Sequence, residues 1–353
     1  MAAYGWLGSI REPIRRAFFR VLRQALETDD GRRLIADASA DPGRVRRLPR
    51  RFEPTDYRAD LPAAPADPAR AAPVFITARF RTGSTLLWQI FRHVASCRSY
   101  YEPLNERRFF DPATRGARVD PTHRGVDDYW REYDGLESLG RWYRPEWISQ
   151  RLHMDEHDWD PDLRAYIRQM IEAAPHRAVL QFNRVDFRLP WLRHEFPDAR
   201  VLHLYRHPRE QWCSSLVDPA RFPHTGTMAA FEPRDAFYLL SWARDLAYRY
   251  PFLDPRTASH PYELFYYLWR LSYDFGRQYA HASFGFEALC ASPDTEIPRL
   301  MTSAGVDDYD LAALRAIVTP PAAARWPKYA PREWFQSIEA RCEETLTRFA
   351  PAE

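Results

Sequence analysis

The chain has 353 residues, 45% of them hydrophobic and 28% charged, enough to bury a sizeable core as one large domain or one domain with insertions. A formal net charge of +2 excludes the global field that draws nucleic acid, so any anion site must be a local cluster. Of the 50 basic residues only Lys328 is a lysine, so anions must be met by guanidinium forks or backbone N–H groups.

At the N-terminus Ile10, Ile14, Phe18, Leu22 and Leu26 recur every four positions with arginines between them. This predicts an amphipathic basic helix that either packs on the domain or lies on an anionic membrane surface through residues 1–27. The segment lacks the continuous apolar centre of a signal peptide, and no apolar run reaches the length of about 18 residues that a membrane span needs. A cytoplasmic protein is expected, with peripheral contact at the inner membrane face as the variant. Residues 36–73, rich in Ala, Pro, Asp and Arg, read as an extended connector. The chain therefore divides into residues 1–72 and a main domain over 73–353.

Strand and helix signals alternate from there. PVFITAR is a short apolar run, TLLWQIFRHVA has helical periodicity, and SYYEP closes a second strand. AVLQFNR (178–184) is a third run, LPWLRHEFP a short helix, and ARVLHLYR (199–206) a clear strand. PREQWCSSLV restarts a helix, ASFGFEAL is strand-like, and PDTEIPRLMTSAG is a helix from Asp294 to Gly305. Strands separated by helices predict an α/β fold, a parallel sheet flanked by helices. Two aromatic-rich stretches, 111–175 and 220–280, interrupt the rhythm and look mainly helical. They are expected to cover an acceptor pocket, with most individual aromatics serving as core. The single cysteines Cys97, Cys213, Cys290 and Cys342 predict reduced, buried thiols, and no metal site is expected.

In ITARFRTGSTLL (76–87) a buried strand meets a small-residue turn and a helix N-terminus, where free N–H groups and the helix dipole converge on an anion. Gly83 permits close approach, Ser84 and Thr85 add hydroxyls, and Arg81 adds a charged fork. A kinase or NTPase loop is the obvious alternative, but the leading glycine and the loop lysine are missing. The strand VLHLY, which should then end in a metal-binding aspartate, ends in Arg206.

RTGSTLL resembles the 5′-phosphosulfate loop of sulfotransferases that use 3′-phosphoadenosine-5′-phosphosulfate (PAPS), roughly Lys/Arg-Ser-Gly-Thr-Thr. VLHLYRHPREQWCSSL is similar to their 3′-phosphate motif, in which a serine lies eight residues after the strand-end arginine, as Ser214 follows Arg206. FPDARVLHLYRHPRE and FEALCASP (286–293) add looser likeness to bacterial and Golgi-type members, over about residues 73–330. The resemblance implies a P-loop-like sulfotransferase fold, PAPS as co-substrate, no metal, and a hydroxyl acceptor, a sugar or other small alcohol. It gives Arg81, Thr82, Gly83, Ser84 and Thr85 the 5′ side, and Arg206 and Ser214 the 3′-phosphate. A basic C-terminal loop over that phosphate would be Arg325 and Lys328 of RWPKY. Arg81 would also stabilise the leaving group.

Cytosolic-type members place a histidine base where this chain has Arg188, so that base is absent. Other members use a glutamate after the first helix, which makes Glu102 the expected general base. Glu106 and Asp186 are the alternatives, and a structural pair of Glu102 with Arg107 or Arg108 is the competing role. Arg184 is a candidate contact for the transferring group. Besides the kinase reading, a non-catalytic nucleotide-binding protein at a membrane stays open.

Overall fold

In the computed structural model, which describes residue 21 and residues 71–349 except 121, 122, 124, 217 and 320–322, the apolar run after Pro73 forms strand β1 (Val74–Ala78). Nearly all of residues 1–72, with the expected amphipathic helix and connector, lie outside the described residues. Residues 57–246 with 252–353 make one compact unit, which carries everything that follows; residues 1–56 with 247–251 make a second.

All five side chains of β1 are buried, as a strand covered on both faces requires. Val74, Ile76 and Ala78 join one apolar cluster with Leu87, Ile90 and Phe91 of helix α1 (Ser84–Arg92), while Phe75 joins the opposite one. That split follows from the period of two along extended backbone. Strand β2 (Cys97–Tyr101) ends one residue short of Glu102. The described residues of 111–175, a stretch expected to be mainly helical, instead hold three short 3-10 turns before the one helix α2 (Pro161–Ala173). Its Tyr129, Tyr133, Tyr143 and Trp147 enter the core from separate turns, so no one helix face collects them.

Strand β3 (Arg177–Phe182), α3 (Leu189–Glu195), β4 (Arg200–Tyr205) and α4 (Pro208–Ser215) follow where the patterns put them. Residues 220–280 form the short helices α5 (Met228–Phe231) and α6 (Leu239–Leu246) and the 19-residue α7 (Pro261–Tyr279). The run ASFGFEAL divides: β5 is Ala282–Gly285, and Phe286 opens α8 (Phe286–Ala291). The chain leaves the sheet there because the Phe286 ring packs over Gly83 and under the Arg206 guanidinium. Helix α9 (Pro293–Ala304) closes at Gly305, whose φ of 68° satisfies the left-handed cap. Helices α10 (Leu311–Ile317), α11 (Trp326–Tyr329) and α12 (Arg332–Phe349) complete the unit.

The sheet order is β2-β3-β1-β4-β5, and every pairing is parallel, with Val74 level with both Val179 and Arg200. The connection after β1 runs to β2 on one side and the connection after the adjacent β3 runs to β4 on the other, so a crevice opens at the carboxyl ends of the central strands. The segments that start there carry Arg81–Thr85 after β1, Glu102 after β2, Arg184 after β3 and Arg206 after β4. All four cysteines are free and buried. Among the described residues no His, Cys, Asp and Glu cluster could hold a metal ion, and no helix is long and apolar enough to cross a membrane.

Candidate active site

The turn between β1 and α1 is built on left-handed backbone at Arg81 (φ 66°) and Gly83 (φ 100°). A Cβ on Gly83 would stand 2.3 Å from the Phe286 ring, so glycine answers both the dihedral and the space. The Thr82 hydroxyl donates to the Arg79 carbonyl at 2.7 Å and closes the turn from beneath. Thr82, expected to face the anion with its neighbours, is therefore buried under the loop and lines no part of the pocket. Arg81, Gly83, Ser84 and Thr85 do line it, beside the positive end of α1, in a cavity of about 580 Å³.

The two motifs, more than a hundred residues apart in sequence, are one structure. Arg81 Nε donates to Ser214 Oγ at 3.1 Å, and Arg206 Nη1 donates to the Arg81 carbonyl at 3.1 Å. Trp269 Nε1 holds the Arg206 carbonyl at 2.9 Å, and the Arg206 guanidinium stacks on Phe286 at 4.8 Å. Arg206 Nε is buried without a hydrogen-bond partner, its nearest carboxylate being Glu287 at 3.9 Å. Burial pulls the Arg206 pKa down, against the opposing charge of Glu287. An under-satisfied guanidinium at a pocket wall fits an anion. Arg325 lines the same pocket, held by its N–H to Glu210 Oε1 at 2.8 Å. Lys328 is exposed on α11 and is not among the lining residues.

Across the pocket Glu102 sits at φ 39° on the tip of β2, 8% exposed. Asn183 Nδ2 donates to its Oε1, and Asn105 Nδ2 donates to Oε2 at 2.6 Å. Its ion-pair partner is Arg184, at 3.5 Å, rather than Arg107 or Arg108; Arg108 pairs with Asp111 at 3.2 Å. Burial raises the Glu102 pKa above the ordinary carboxylate range, and Arg184 opposes the rise. Arg184 also binds Glu106 at 2.5 Å and stacks on Phe80 and Tyr238 at 4.8 and 5.6 Å. Glu106 lines the pocket with its side chain 45% exposed.

Asp186, the other alternative base, is corrected by the structure. It lies off the pocket, taking hydrogen bonds from Thr77 at 2.6 Å and Ser272 at 2.9 Å, with Arg79 at 3.7 Å. Thr77 alternates with the β1 residues that face α1, so Asp186 is bonded on the sheet face opposite α1.

Several lining residues lie outside the motifs, His123 among them. His123 Nε2 lies 3.3 Å from Thr85 Oγ1, and its Nδ1 lies 2.5 Å from Tyr129 Oη. Burial lowers its pKa, with Asp120 opposing. The only signal in sequence was a histidine in a Pro- and Gly-flanked loop, PTHRG, within an aromatic stretch. Tyr129 from the same stretch with Phe109, and Phe237 and Tyr238 from residues 220–280 with Phe80, give the pocket aromatic walls.

Guanidinium groups, a helix N-terminus and a shielded carboxyl thus share one crevice at the switch point of a parallel sheet, the arrangement of a P-loop-like group-transfer protein. The chain belongs to the sulfotransferase family, whose model matches residues 73–310, and it has the P-loop-like sulfotransferase fold. Among solved structures it is similar to sulfotransferase STF9 of Mycobacterium avium, at 14% identity over 78% of this chain and 76% of that one (TM-score 0.42). It is also similar to mouse SULT7A1 complexed with PAP, at 11% identity over 79% and 84% (TM-score 0.39). A sulfotransferase from Alicyclobacillus acidocaldarius shares 16% identity over 79% and 94% (TM-score 0.36). No curated protein matches the chain in sequence.

Proposed function

We propose that this protein moves the sulfuryl group of PAPS to the hydroxyl of a small alcohol or sugar, with Glu102 as general base. The observation that carries the reading is the junction of Arg81, Ser214 and Arg206 in one pocket that also holds Glu102. The unpartnered Nε of Arg206 and the N-terminus of α1, whose Ser84 and Thr85 line the pocket, fit a nucleotide with anions at both ends. Bound PAPS supplies the activated sulfuryl group and an anionic leaving group. Arg81, Ser84, Thr85 and the first N–H groups of α1 hold its 5′ side, and Arg81 neutralises charge developing there. Arg206 and Ser214 hold the 3′-phosphate, and Arg325 reaches it from the rim. Thr82 shapes the loop from below.

Burial raises the proton affinity of Glu102, the direction that favours a base, while Asn105 and Asn183 fix its orientation. The aromatic walls suit the apolar faces of a sugar ring or a small alcohol.

Calorimetric titration of 3′-phosphoadenosine-5′-phosphate in EDTA, beside ADP and ATP, tests the nucleotide assignment. A charge-assisted contact from Arg206 is worth about 1.5–3 kcal/mol, so the 3′-phosphate should improve affinity by about tenfold or more. Equal affinities, or ATP binding that requires Mg²⁺, would return the site to the kinase class. Glu102→Gln should bind this nucleotide like the wild type yet lose about 10²- to 10⁴-fold in turnover over a panel of sugars and simple alcohols. Unchanged turnover would remove Glu102 as the base.

A further inference from the structure

Three of the guanidinium groups on the pocket wall already face a carboxylate. Arg81 has Asp120 at 3.6 Å, Arg184 has Glu106 at 2.5 Å, and Arg206 has Glu287 at 3.9 Å. Arg107 lines the same pocket, and its guanidinium makes no hydrogen bond or ion pair with the described residues. It lies 5.7 Å from the centre of the Phe109 ring, its Cζ over the aromatic face.

The backbone beneath that charge is fixed. The Arg107 N–H donates to Asn105 Oδ1 at 2.9 Å, and its carbonyl accepts from Thr114 Oγ1 at 3.2 Å. The Asn105 amide also donates to Glu102 Oε2 at 2.6 Å, so one side chain ties the base and the cation into a single turn. Their spacing is set by local bonds. Phe109 and Tyr129, with ring centroids 5.6 Å apart, form the wall beside them. A cation held on a pocket wall with no counter-charge suits an anion that arrives with a ligand. The groups assigned to the nucleotide, Arg81, Ser214 and Arg206, are bonded to one another, whereas Arg107 belongs to the turn of Glu102. Its anion therefore belongs to the acceptor.

Resting on the reading of Glu102 as base, we infer that Arg107 selects the acceptor, an alcohol or sugar that carries its own carboxylate, sulfate or phosphate. The aromatic wall takes the apolar face of the acceptor, Glu102 its hydroxyl, and the Arg107 fork its anion. Glu102 and Glu106 share Arg184. When Glu102 takes the acceptor proton, Arg184 is left with Glu106, and the repulsion between Glu102 and the acceptor's anion disappears. The contact with Arg107 then counts for more as the hydroxyl is deprotonated, so it acts on turnover as well as on binding.

Two measurements test the assignment. The first is kcat/KM for transfer from PAPS to matched acceptors: methyl glucoside beside methyl glucuronide, glucose beside its 6-sulfate and 6-phosphate, and mandelate beside its amide. An anionic member should exceed its neutral twin by at least about tenfold, and the pair that does so identifies the anion. Arg107→Gln keeps the backbone bonds and should bring that ratio close to one, while Arg107→Lys should retain part of it. A loss shared equally by both members would mark a structural role and overturn the assignment, as would a ratio near one in the wild type.

The second needs no turnover: saturation-transfer NMR of the same compounds with protein loaded with 3′-phosphoadenosine-5′-phosphate. The anionic members should bind more tightly than their twins, less so at high salt, and lose the advantage in Arg107→Gln. Equal binding of the twins would overturn the assignment. If Glu102→Gln is inactive while the twins are used equally, the acceptor assignment fails and the base stands. Full activity in Glu102→Gln would remove the base, whatever the ratio.

Discussion

A methyl group on Gly83 would reach further into the site than its size suggests. Alanine would have to adopt φ near 100° with its Cβ 2.3 Å from the Phe286 ring. The backbone strain alone is of order 1–3 kcal/mol. The ring cannot yield without moving Arg206, which stacks on it. Gly83→Ala should therefore lower stability by about that amount and weaken 3′-phosphoadenosine-5′-phosphate binding by at least about tenfold. Urea unfolding and calorimetry would check the two effects separately. Undiminished affinity would show that the loop can rebuild around Phe286. Glu102 and Asp186 make a second contrast at this scale. Both carboxyls are buried and both pKa values are raised by burial, yet only Glu102 lines the pocket. A raised pKa on its own does not pick out a base.

Strand β1 feeds two faces of the molecule, and its loop is supported from below by an element distant in sequence. Asp186 takes hydrogen bonds from Thr77 of β1 and Ser272 of α7 and faces Arg79 at 3.7 Å. Asp186→Leu would leave the Arg79 guanidinium buried and uncompensated, a change that costs about 3–5 kcal/mol. Denaturant unfolding should report that loss, whereas Glu102→Gln should unfold close to the wild type. Wild-type stability in Asp186→Leu would mean that Arg79 finds water or another acceptor. The strand runs and proline-opened helices were legible because apolar period and local sterics fix them. The stretch 111–160 was not. Its turns are held by long-range bonds such as Tyr133 Oη to the Tyr101 carbonyl at 2.9 Å and Tyr143 Oη to the Asn105 carbonyl at 3.1 Å.

Across the whole molecule, histidines buried in neutral form set a dependence of stability on acid. His203 on β4 is 2% exposed, with its ring against Gly276 of α7, and burial lowers its pKa to about 3, Arg277 adding to the effect. His260 is lowered to about 4, chiefly by burial. The unfolded chain protonates these groups near 6.5, so below that pH it binds more protons than the folded one. Stability is present in full above about 6.5 and is lost as pH falls toward the folded values, at about 1.4 kcal/mol per pH unit for each histidine. The raised carboxyls of Glu102, Glu132 and Asp186 act with the opposite sign, losing stability as pH rises through their shifted values. A difference measurement separates the two. Between pH 6.5 and 4, the wild type should lose about 1.4 kcal/mol per pH unit relative to His203→Gln, with no relative change above pH 7. A flat difference would mean that His203 is hydrated in the folded state.

By itself the sequence determined the α/β layering, the small-residue loop at Arg81–Thr85, the strand-end Arg206 and the position of Glu102 at a strand tip. These are local consequences of strand and helix periods, of small residues at a turn, and of side-chain charge. Only the tertiary structure decided which of those groups face one another. It joined Arg81 to Ser214 and Arg206, turned Thr82 beneath the loop, left Lys328 off the pocket wall and placed Asp186 behind the sheet. It also brought His123 to Thr85 from a segment with no regular period. A residue's own spacing says which face of its element it occupies. What stands opposite that face depends on the order in which the strands pair, and that order is settled by the packing of the whole sheet.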